Sequence, residues 1–417
     1  MNYREAVGHL YALGNEVSTA KLGLDRIRLL LRRLGDPQSA CRYVHVAGTN
    51  GKGSVSAMVE AGLRSAGVRT GLYTSPHLIE PVERIRIAGT PVTQDEFAAA
   101  FAEVHAAGLR MIAAAEIDLH PTYFECVTAM AFLLFRAHAV TLAVMEVGLG
   151  GRLDATNVIA PELCLITPID LDHQHFLGDT IEQIAAEKAG ILKPGVPAIF
   201  ARQNEPAMRI LQNRAAELRV PYQRAEDAPV SALEITATGS AFSLGSERIV
   251  CPLAGEHQVD NAVVAALALG KLGYPAAGIA SARWPGRLER VAESPDIILD
   301  GAHNPAGVRA LVTYLQRVYA RRPIHLIYGA MRDKPIREMT ATLFRLATSV
   351  VLTAPQNTRS MPSAELIHQV APHPALATAP DIASALQLVR RTASADSVIL
   401  ITGSLFLVGE ARALLVE

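Results

Sequence analysis

The stretch Gly48-Thr49-Asn50-Gly51-Lys52-Gly53-Ser54 constrains the fold more than any other part of the chain. It is a glycine-rich turn between an apolar run, Tyr43-Val44-His45-Val46-Ala47, and a helix-like segment over residues 56–63. A buried strand that turns through glycines into a helix aims backbone N–H groups and a positive helix end at an anion. Lys52 adds a point charge suited to β- and γ-phosphates. The spacing departs from G-x-x-x-x-G-K-[ST]: Val46 stands at the first glycine position, and Gly53 separates Lys52 from Ser54. On the motif alone, an ordinary glycine turn before a helix competes with the phosphate cradle. The remainder of the chain argues against the plainer reading.

At 417 residues the chain exceeds one typical core, so two domains are expected. Half of the residues are hydrophobic, enough for two sizeable cores. A formal charge of −1 gives no general attraction to nucleic acid or to an acidic membrane, so anion binding has to be local. Cys41, Cys126, Cys164 and Cys251 are far apart and form no C-x-x-C, as expected of inert thiols in a reduced cytoplasmic protein. Met1-Asn2-Tyr3-Arg4-Glu5 opens no apolar signal region, and apolar stretches such as residues 397–409 are too short and broken for a membrane span.

Strand-like and helix-like segments alternate, the pattern of a parallel sheet covered by helices. Residues 141–147 and 163–167 are near-continuous apolar runs, as central parallel strands should be. Helices are expected over 94–115, 124–137 and 259–272, and an antiparallel patch over 231–252. At Trp284-Pro285-Gly286-Arg287 the pattern is interrupted and a second α/β series begins, with strands expected over 297–300, 325–328, 350–353 and 398–401. The fold class is therefore α/β. A P-loop-containing, mostly parallel sheet domain over 1–286 precedes a smaller Rossmann-like α/β domain over 287–417.

Polar residues at strand ends mark the expected ligand edge of such sheets. Glu146 lies in the apolar run Val144-Met145-Glu146-Val147, where a carboxylate is costly unless it is paired or binds a cation. Ser75 ends one strand, and His173 follows another. Taken singly, each is an ordinary cap or core polar group. Beside a phosphate cradle, the three together suit Mg²⁺. Lys188, in Glu187-Lys188-Ala189-Gly190, reads on position alone as a surface lysine. Asp260 or Asn261 caps an alanine-rich helix, or Asn261 pairs with a purine edge. Asp300 and His303, in Asp300-Gly301-Ala302-His303-Asn304-Pro305, lie near a helix start, where capping is the plain reading. Thr353, Arg359 and Ser404 are weaker strand-end candidates.

Taken together, these segments resemble the folylpolyglutamate synthase and dihydrofolate synthase family of the Mur ligase superfamily. The resemblance runs from Leu22-Gly23-Leu24-Asp25-Arg26-Ile27 to Gly403-Ser404-Leu405-Phe406 and includes Thr74-Ser75-Pro76-His77-Leu78, Glu83-Arg84-Ile85 and Tyr123-Phe124-Glu125. Its most specific segment is Glu146-Val147-Gly148-Leu149-Gly150-Gly151-Arg152-Leu153-Asp154-Ala155-Thr156-Asn157, and the off-pattern cradle matches it as well. The resemblance implies an ATP-dependent amide ligase that activates a pteroate or folate carboxylate as an acyl phosphate, which the amine of L-glutamate attacks. The implied cofactors are ATP and Mg²⁺, with a monovalent cation such as K⁺ in addition. By this resemblance Thr49, Asn50, Gly51, Lys52, Gly53 and Ser54 hold ATP phosphates, and Asn261, Arg287 and Asp300 contact the nucleotide. Ser75, Glu146 and His173 are the metal ligands. Lys188 matches a lysine that the family carries carbamylated, an anion where a bare ammonium beside Mg²⁺ would be repelled. Lys21, Leu22, Gly23, Thr122, Tyr123, Phe124, Glu125, Leu153, Asp154 and Ala155 match pteroate-binding segments of the bifunctional members. His303 and Ser404 are matched to the seating of glutamate or the acyl phosphate. Lys52, Lys188 and His303 are the catalytic candidates.

Other classes fit less well. With 47 residues ahead of Gly48, the UDP-sugar domain of a cell-wall precursor ligase is not expected. A phosphotransferase or switch NTPase would turn ATP over without an amine, and no Asn-Lys-x-Asp guanine-reading segment is evident. A regulatory protein that has lost catalysis would not keep Lys52, Glu146, His173 and Lys188 together. Within the family, Tyr123-Phe124-Glu125 favours the bifunctional enzyme over a monofunctional folylpolyglutamate synthase. The expected partners are small molecules alone: dihydropteroate or reduced folate, L-glutamate and ATP. A cytoplasmic monomer is expected.

Overall fold

The computed structural model describes residues 1–14 and 23–416, so Lys21 and Leu22 lie outside the described residues. The chain divides into two compact units. The first comprises Met1–Ser231, Ser243–Ile249 and Asp260–Ala282; the second comprises Ala232–Phe242, Val250–Val259 and Arg283–Glu417. The final change of unit, after Ala282, falls just ahead of the expected boundary at 286, and the excursions at 232–242 and 250–259 have no counterpart in that expectation.

The first unit is built on eight strands: β1 (Arg42–Ala47), β2 (Thr70–Tyr73), β3 (Ile85–Ile87), β4 (Thr90–Pro91), β5 (Leu142–Glu146), β6 (Leu163–Ile166), β7 (Ala198–Phe200) and β8 (Tyr222–Arg224). Their order is β4-β3-β2-β5-β1-β6-β7-β8. The six strands from β2 to β8 in that order are parallel, and β3 and β4 are antiparallel additions at one edge. Every residue of β2, β5 and β6 is buried, which explains their unbroken apolar sequences, since a parallel sheet is covered on both faces.

Capping boxes start three of the covering helices. Thr93 with Glu96, Thr122 with Glu125 and Thr180 with Gln183 open Gln94–Ala113, Tyr123–Ala137 and Ile181–Ala189. One core packs Tyr123–Ala137 against Phe97, Phe101, Leu10, Leu30 and Leu31. Another sets Ile184, Ile191 and Leu211 against Ile166 and Phe200. Burial of the apolar side chains, about 25 cal/mol per Å², is the main stabilising term for both. The four cysteines are free, and burial raises all their thiols, so they are poor nucleophiles.

A three-stranded sheet, β9 (Val230–Ile235), β10 (Ser240–Leu244) and β11 (Glu247–Cys251), has the order β11-β10-β9. Its connections are too short for anything but antiparallel hairpins, as the alternation over 231–252 predicts.

The second unit carries β12 (Glu289–Ala292), β13 (Asp296–Asp300), β14 (Ile324–Tyr328), β15 (Ser349–Leu352), β16 (Leu376–Thr378) and β17 (Val398–Thr402) in the order β12-β13-β17-β14-β15-β16. Only β12 is antiparallel. Asn304, Asp381 and Ser404 each cap a helix that follows, accepting a bond from Gly307, Ser384 and Phe406 N–H respectively. Among the described residues no helix is long and apolar enough to cross a membrane.

Candidate active site

Strand register gathers the polar residues of the first unit at one edge. Val46 of β1 pairs with Glu146 of β5, Ala47 with Ile166 of β6, and Tyr73 of β2 with Met145 of β5. Gly48, Ser75, Glu146 and Thr167 therefore stand side by side at the carboxyl ends of four neighbouring strands, where open α/β sheets bind ligands.

The cradle needs glycine at two places. At Gly48 φ is +147°, and a Cβ would lie 1.9 Å from Thr167 Oγ1. At Gly51, with φ of +86°, a Cβ would lie 2.5 Å from Asn261 Oδ1. The helix runs Glu256–Lys271, so Asp260 and Asn261 lie inside it and neither caps its start, contrary to the capping reading of the sequence; the Asn261 side chain packs on the turn instead. The N–H groups of Thr49 and Asn50 donate to Pro168 O at 2.9 and 3.2 Å, and Thr49 Oγ1 donates to Asp170 O at 3.0 Å. These bonds fix the turn to the end of β6 and direct two of the expected anion donors elsewhere. What remains for an anion is the start of the helix Lys52–Ser65, which has no side-chain cap and whose first-turn N–H groups belong to Lys52, Gly53 and Ser54.

Two lysines meet one oxygen. Lys52 Nζ donates to Gly48 O at 3.1 Å and Thr49 O at 3.2 Å, and Lys188 Nζ donates to Gly48 O at 2.8 Å. Lys188 is not a surface residue: it is 5 % exposed on the inner side of Ile181–Ala189. Burial first, then the Lys52 charge, pushes its pKa down to about 7 from 10.5, against the opposing pull of Asp172 and Asp154. A lysine so placed keeps a substantial fraction as the uncharged, nucleophilic amine at neutral pH.

Around this centre, Ser75 N–H donates to buried Glu146 Oε2 at 3.2 Å. The Ser75 turn is held by buried Arg84, whose Nε donates to His77 Nδ1 at 2.9 Å and whose carbonyl accepts Thr74 N–H at 3.0 Å. His173, half-buried with φ of +52°, begins the short helix Gln174–Leu177, and its N–H donates to Asp172 Oδ1. The glycine-rich segment after β5 is tied to the Lys188 helix by Arg152 N–H on Glu187 O at 2.8 Å. Asn157 Nδ2 adds bonds to Arg152 O and Gly190 O, and Asn157 Oδ1 accepts from Lys193 Nζ at 2.7 Å. Asn157 is a positioning residue absent from the expected set, although it ends the most specific segment.

The second candidate cluster in this unit joins Thr122, Tyr123, Phe124 and Glu125 to Leu153, Asp154 and Ala155. Phe124 lies against Gly148, where a Cβ would meet its ring at 2.4 Å. Thr122 and Phe124 are half-buried; Tyr123 and Glu125 are buried. Buried Asp154 accepts four bonds, from Gly148 and Leu149 N–H on Oδ2 and from Thr156 N–H and Oγ1 on Oδ1, so its carboxylate shapes its own loop. His45 of β1 reaches the same loop, Nε2 to Thr156 Oγ1 at 2.9 Å. Gly23 lies at the start of the helix Asp25–Arg33.

In the second unit, Asp300 at the end of β13 accepts Leu288 N–H and Ala302 N–H, both at 3.0 Å. Burial raises its pKa, with Arg287 opposing. Arg287 is close to Gly301, where a Cβ would lie 2.4 Å from its Nη1. His303 Nδ1 bonds Gly301 O at 2.7 Å, and Ser404 Oγ accepts Phe406 N–H. Asp300, Arg287 and His303 thus share one strand-end turn.

This architecture is matched in both units by models of known domains: the Mur ligase middle domain over residues 46–269 and the Mur ligase glutamate ligase domain over residues 286–405. Dihydrofolate synthase/folylpolyglutamate synthase of Bacillus subtilis is 35% identical over 411 residues, covering 94% of each chain. Folylpolyglutamate synthase of Lacticaseibacillus casei is 34% identical, covering 99% of this chain and 98% of that one. Among solved structures, Mycobacterium tuberculosis folylpolyglutamate synthase complexed with ADP and AMPPCP superposes with a TM-score of 0.89 at 33% identity, covering 99% of both chains. Bifunctional folylpolyglutamate synthase/dihydrofolate synthase of Yersinia pestis, complexed with AMPPNP and Mn ion, gives 0.84 at 30% identity, covering 100% of this chain and 98% of that one. The two domains in series are those of a Mur-type ligase. The chain belongs to the dihydrofolate synthase/folylpolyglutamate synthase family.

Proposed function

We propose that this chain is an ATP-dependent ligase that adds L-glutamate to dihydropteroate and then to reduced folates through an acyl phosphate. The observation that carries the reading is the meeting of Lys52 and buried Lys188 on Gly48 O, beside Glu146 and Ser75. A carboxylate is a poor acyl donor, so its oxygen must first become a leaving group. Lys52 and the first-turn N–H groups of Lys52–Ser65 offset the charge of the phosphates that do this. The contact of Asn261 with Gly51 supports its assignment to the nucleotide, to which the family resemblance also assigns Arg287 and Asp300, with His303 and Ser404 for glutamate. In this reading the unit that carries the cradle binds ATP and the folate, and the second serves glutamate addition.

Mg²⁺ takes few protein ligands and keeps waters. Glu146 and Ser75, joined by the 3.2 Å bond, would hold it, with His173 as third ligand. Bound there, Mg²⁺ supplies neutralisation of phosphate charge. Lys188 is carbamylated: its neutral amine attacks CO₂ from solution, an N–C bond forms as one C=O π bond opens onto oxygen, one N–H proton leaves to solvent, and the neutral amine becomes a carbamate anion. Support comes from its burial and its pKa of about 7. The protein acts as a cytoplasmic monomer, with K⁺ as a further activator.

The deciding experiment is phosphate release from ATP with L-glutamate, comparing dihydropteroate, tetrahydrofolate and no acceptor, with products identified by mass. Dihydrofolate formed from dihydropteroate establishes the first activity. Turnover with tetrahydrofolate alone defines a monofunctional folylpolyglutamate synthase. Equal turnover without an acceptor points to a non-ligase NTPase and overturns the reading.

A further inference from the structure

We infer that Arg26 is a positioning residue that sets the enzyme's affinity for the pteroate moiety, by clamping together two chain segments assigned to that substrate. This rests on the folate-ligase reading above. Gly23 leads directly into the helix Asp25–Arg33, whose N-cap, Leu24, provides no side-chain cap. The start of this helix is instead tied down one residue into its first turn. Arg26 Nε donates to Glu125 Oε2 at 2.7 Å, and the two side chains are only 15% and 6% exposed.

Glu125 already closes the capping box of Tyr123–Ala137, with Thr122 as N-cap. The same Oε2 accepts Thr122 N–H at 2.8 Å and Thr122 Oγ1 at 2.9 Å. Its other oxygen, Oε1, is buried and has no hydrogen-bond partner among the described residues. The carboxylate therefore has three donors on one oxygen, and Arg26 supplies the only charge among them. Asp25–Arg33 also packs against the turn Ala155–Val158, which Asp154 caps. The ion pair forms part of the wall of a cavity of about 440 Å³, bounded also by Gly23, Asp25, Arg32 and Glu116.

Without the guanidinium, a buried carboxylate is left uncompensated, and breaking one partner of such a pair is strongly unfavourable. Glu125 then loses the donor that fixes its Oε2 and turns toward water, which loosens its bonds to Thr122. Thr122, Phe124 and Gly23 lose their fixed spacing. The nucleotide cradle is held by Pro168 and Asp170 and is not part of this network.

The test is steady-state kinetics of Arg26→Gln and Glu125→Gln with each substrate varied in turn, beside thermal unfolding of each variant. The expected result is a rise of about tenfold in KM for dihydropteroate and tetrahydrofolate, with KM for ATP and L-glutamate within about twofold of wild type. Arg26→Lys, which keeps the charge but not the fork, recovers most of the affinity. The double variant is no worse than either single one, because both break the same contact. An unchanged folate KM in whichever glutamine variant folds, or an equal rise in the ATP KM, overturns the inference. Failure of the wild-type protein to turn over either folate substrate is a different result, and it overturns the functional reading instead.

Discussion

Lys188 Nζ and Lys52 Nζ donate to the same carbonyl oxygen, that of Gly48, at 2.8 and 3.1 Å. Two ammonium groups sharing one acceptor repel each other. Burial first, and this repulsion second, bring the Lys188 pKa down to about 7; Lys52 is only half-buried. Converting Lys188 to a carbamate turns that repulsion into attraction.

Lys188→Ala and Glu146→Ala are expected to fold and to lose ligase turnover by about a thousandfold or more, as when a preorganised charge is removed from a site. Ser75→Ala should act more mildly, by shifting the metal requirement, since water can replace one neutral ligand. Turnover against Mg²⁺ concentration measures both. In ¹³C-bicarbonate the wild-type protein should show a carbamate carbon signal that Lys188→Ala lacks.

In bicarbonate-free buffer, Lys188 ties stability to pH. Its folded pKa, about 7, lies below the ordinary 10.5, so the folded state sheds a proton that the unfolded chain keeps. Stability therefore rises with pH between about 7 and 10.5 and is flat, at its lower level, below that window. Urea titrations of wild type and Lys188→Met should diverge below the window and converge above it. Parallel curves would show that the lysine is not buried as an amine.

His45 titrates in the opposite range. Burial, then the Lys193 charge, pushes it down to about 3 from 6.5, so it stays neutral in the folded protein. Its contribution to stability is full above pH 6.5 and is lost as pH falls toward 3, because only the unfolded chain accepts the proton early. Imidazole proton shifts followed by NMR, with the His45 ring assigned by its loss in His45→Gln, should show that ring unchanged down to about pH 4.5.

Gly48→Ala tests the turn itself. The added Cβ meets Thr167 Oγ1 at 1.9 Å and Thr167 O at 2.8 Å at a φ of +147°. A loss of about 2 kcal/mol or more in unfolding free energy is expected, with nucleotide affinity falling as well. Denaturant unfolding and nucleotide titration measure the two effects.

Much of this was legible in the sequence, for reasons visible in particular residues. The unbroken runs of β5 and β6 announce a parallel sheet because both faces are covered. Thr93 and Thr122, each three residues before a glutamate, announce helix starts. What was not legible depends on distant partners. No local pattern says that Thr49 and Asn50 give their N–H groups to Pro168, that Asn261 rests on Gly51, or that Asp154 exhausts its lone pairs on its own loop. Tyr123 and Glu125 belong to a segment matched to substrate, yet both are buried, which no local pattern announces. The strands β3, β4, β7, β8, β12 and β16 had no counterpart in the expectations because none exceeds four residues, too short for a period to show.

The contact between Gly51 and Asn261 also orders events during synthesis. The turn emerges early from the ribosome, whereas the segment Asp260–Ala282 that completes the first unit emerges only after 230–259 have been made. The nascent chain thus carries this glycine turn long before the turn has its full support. That support arrives only after residues 232–242 and 250–259 of the second unit have been made.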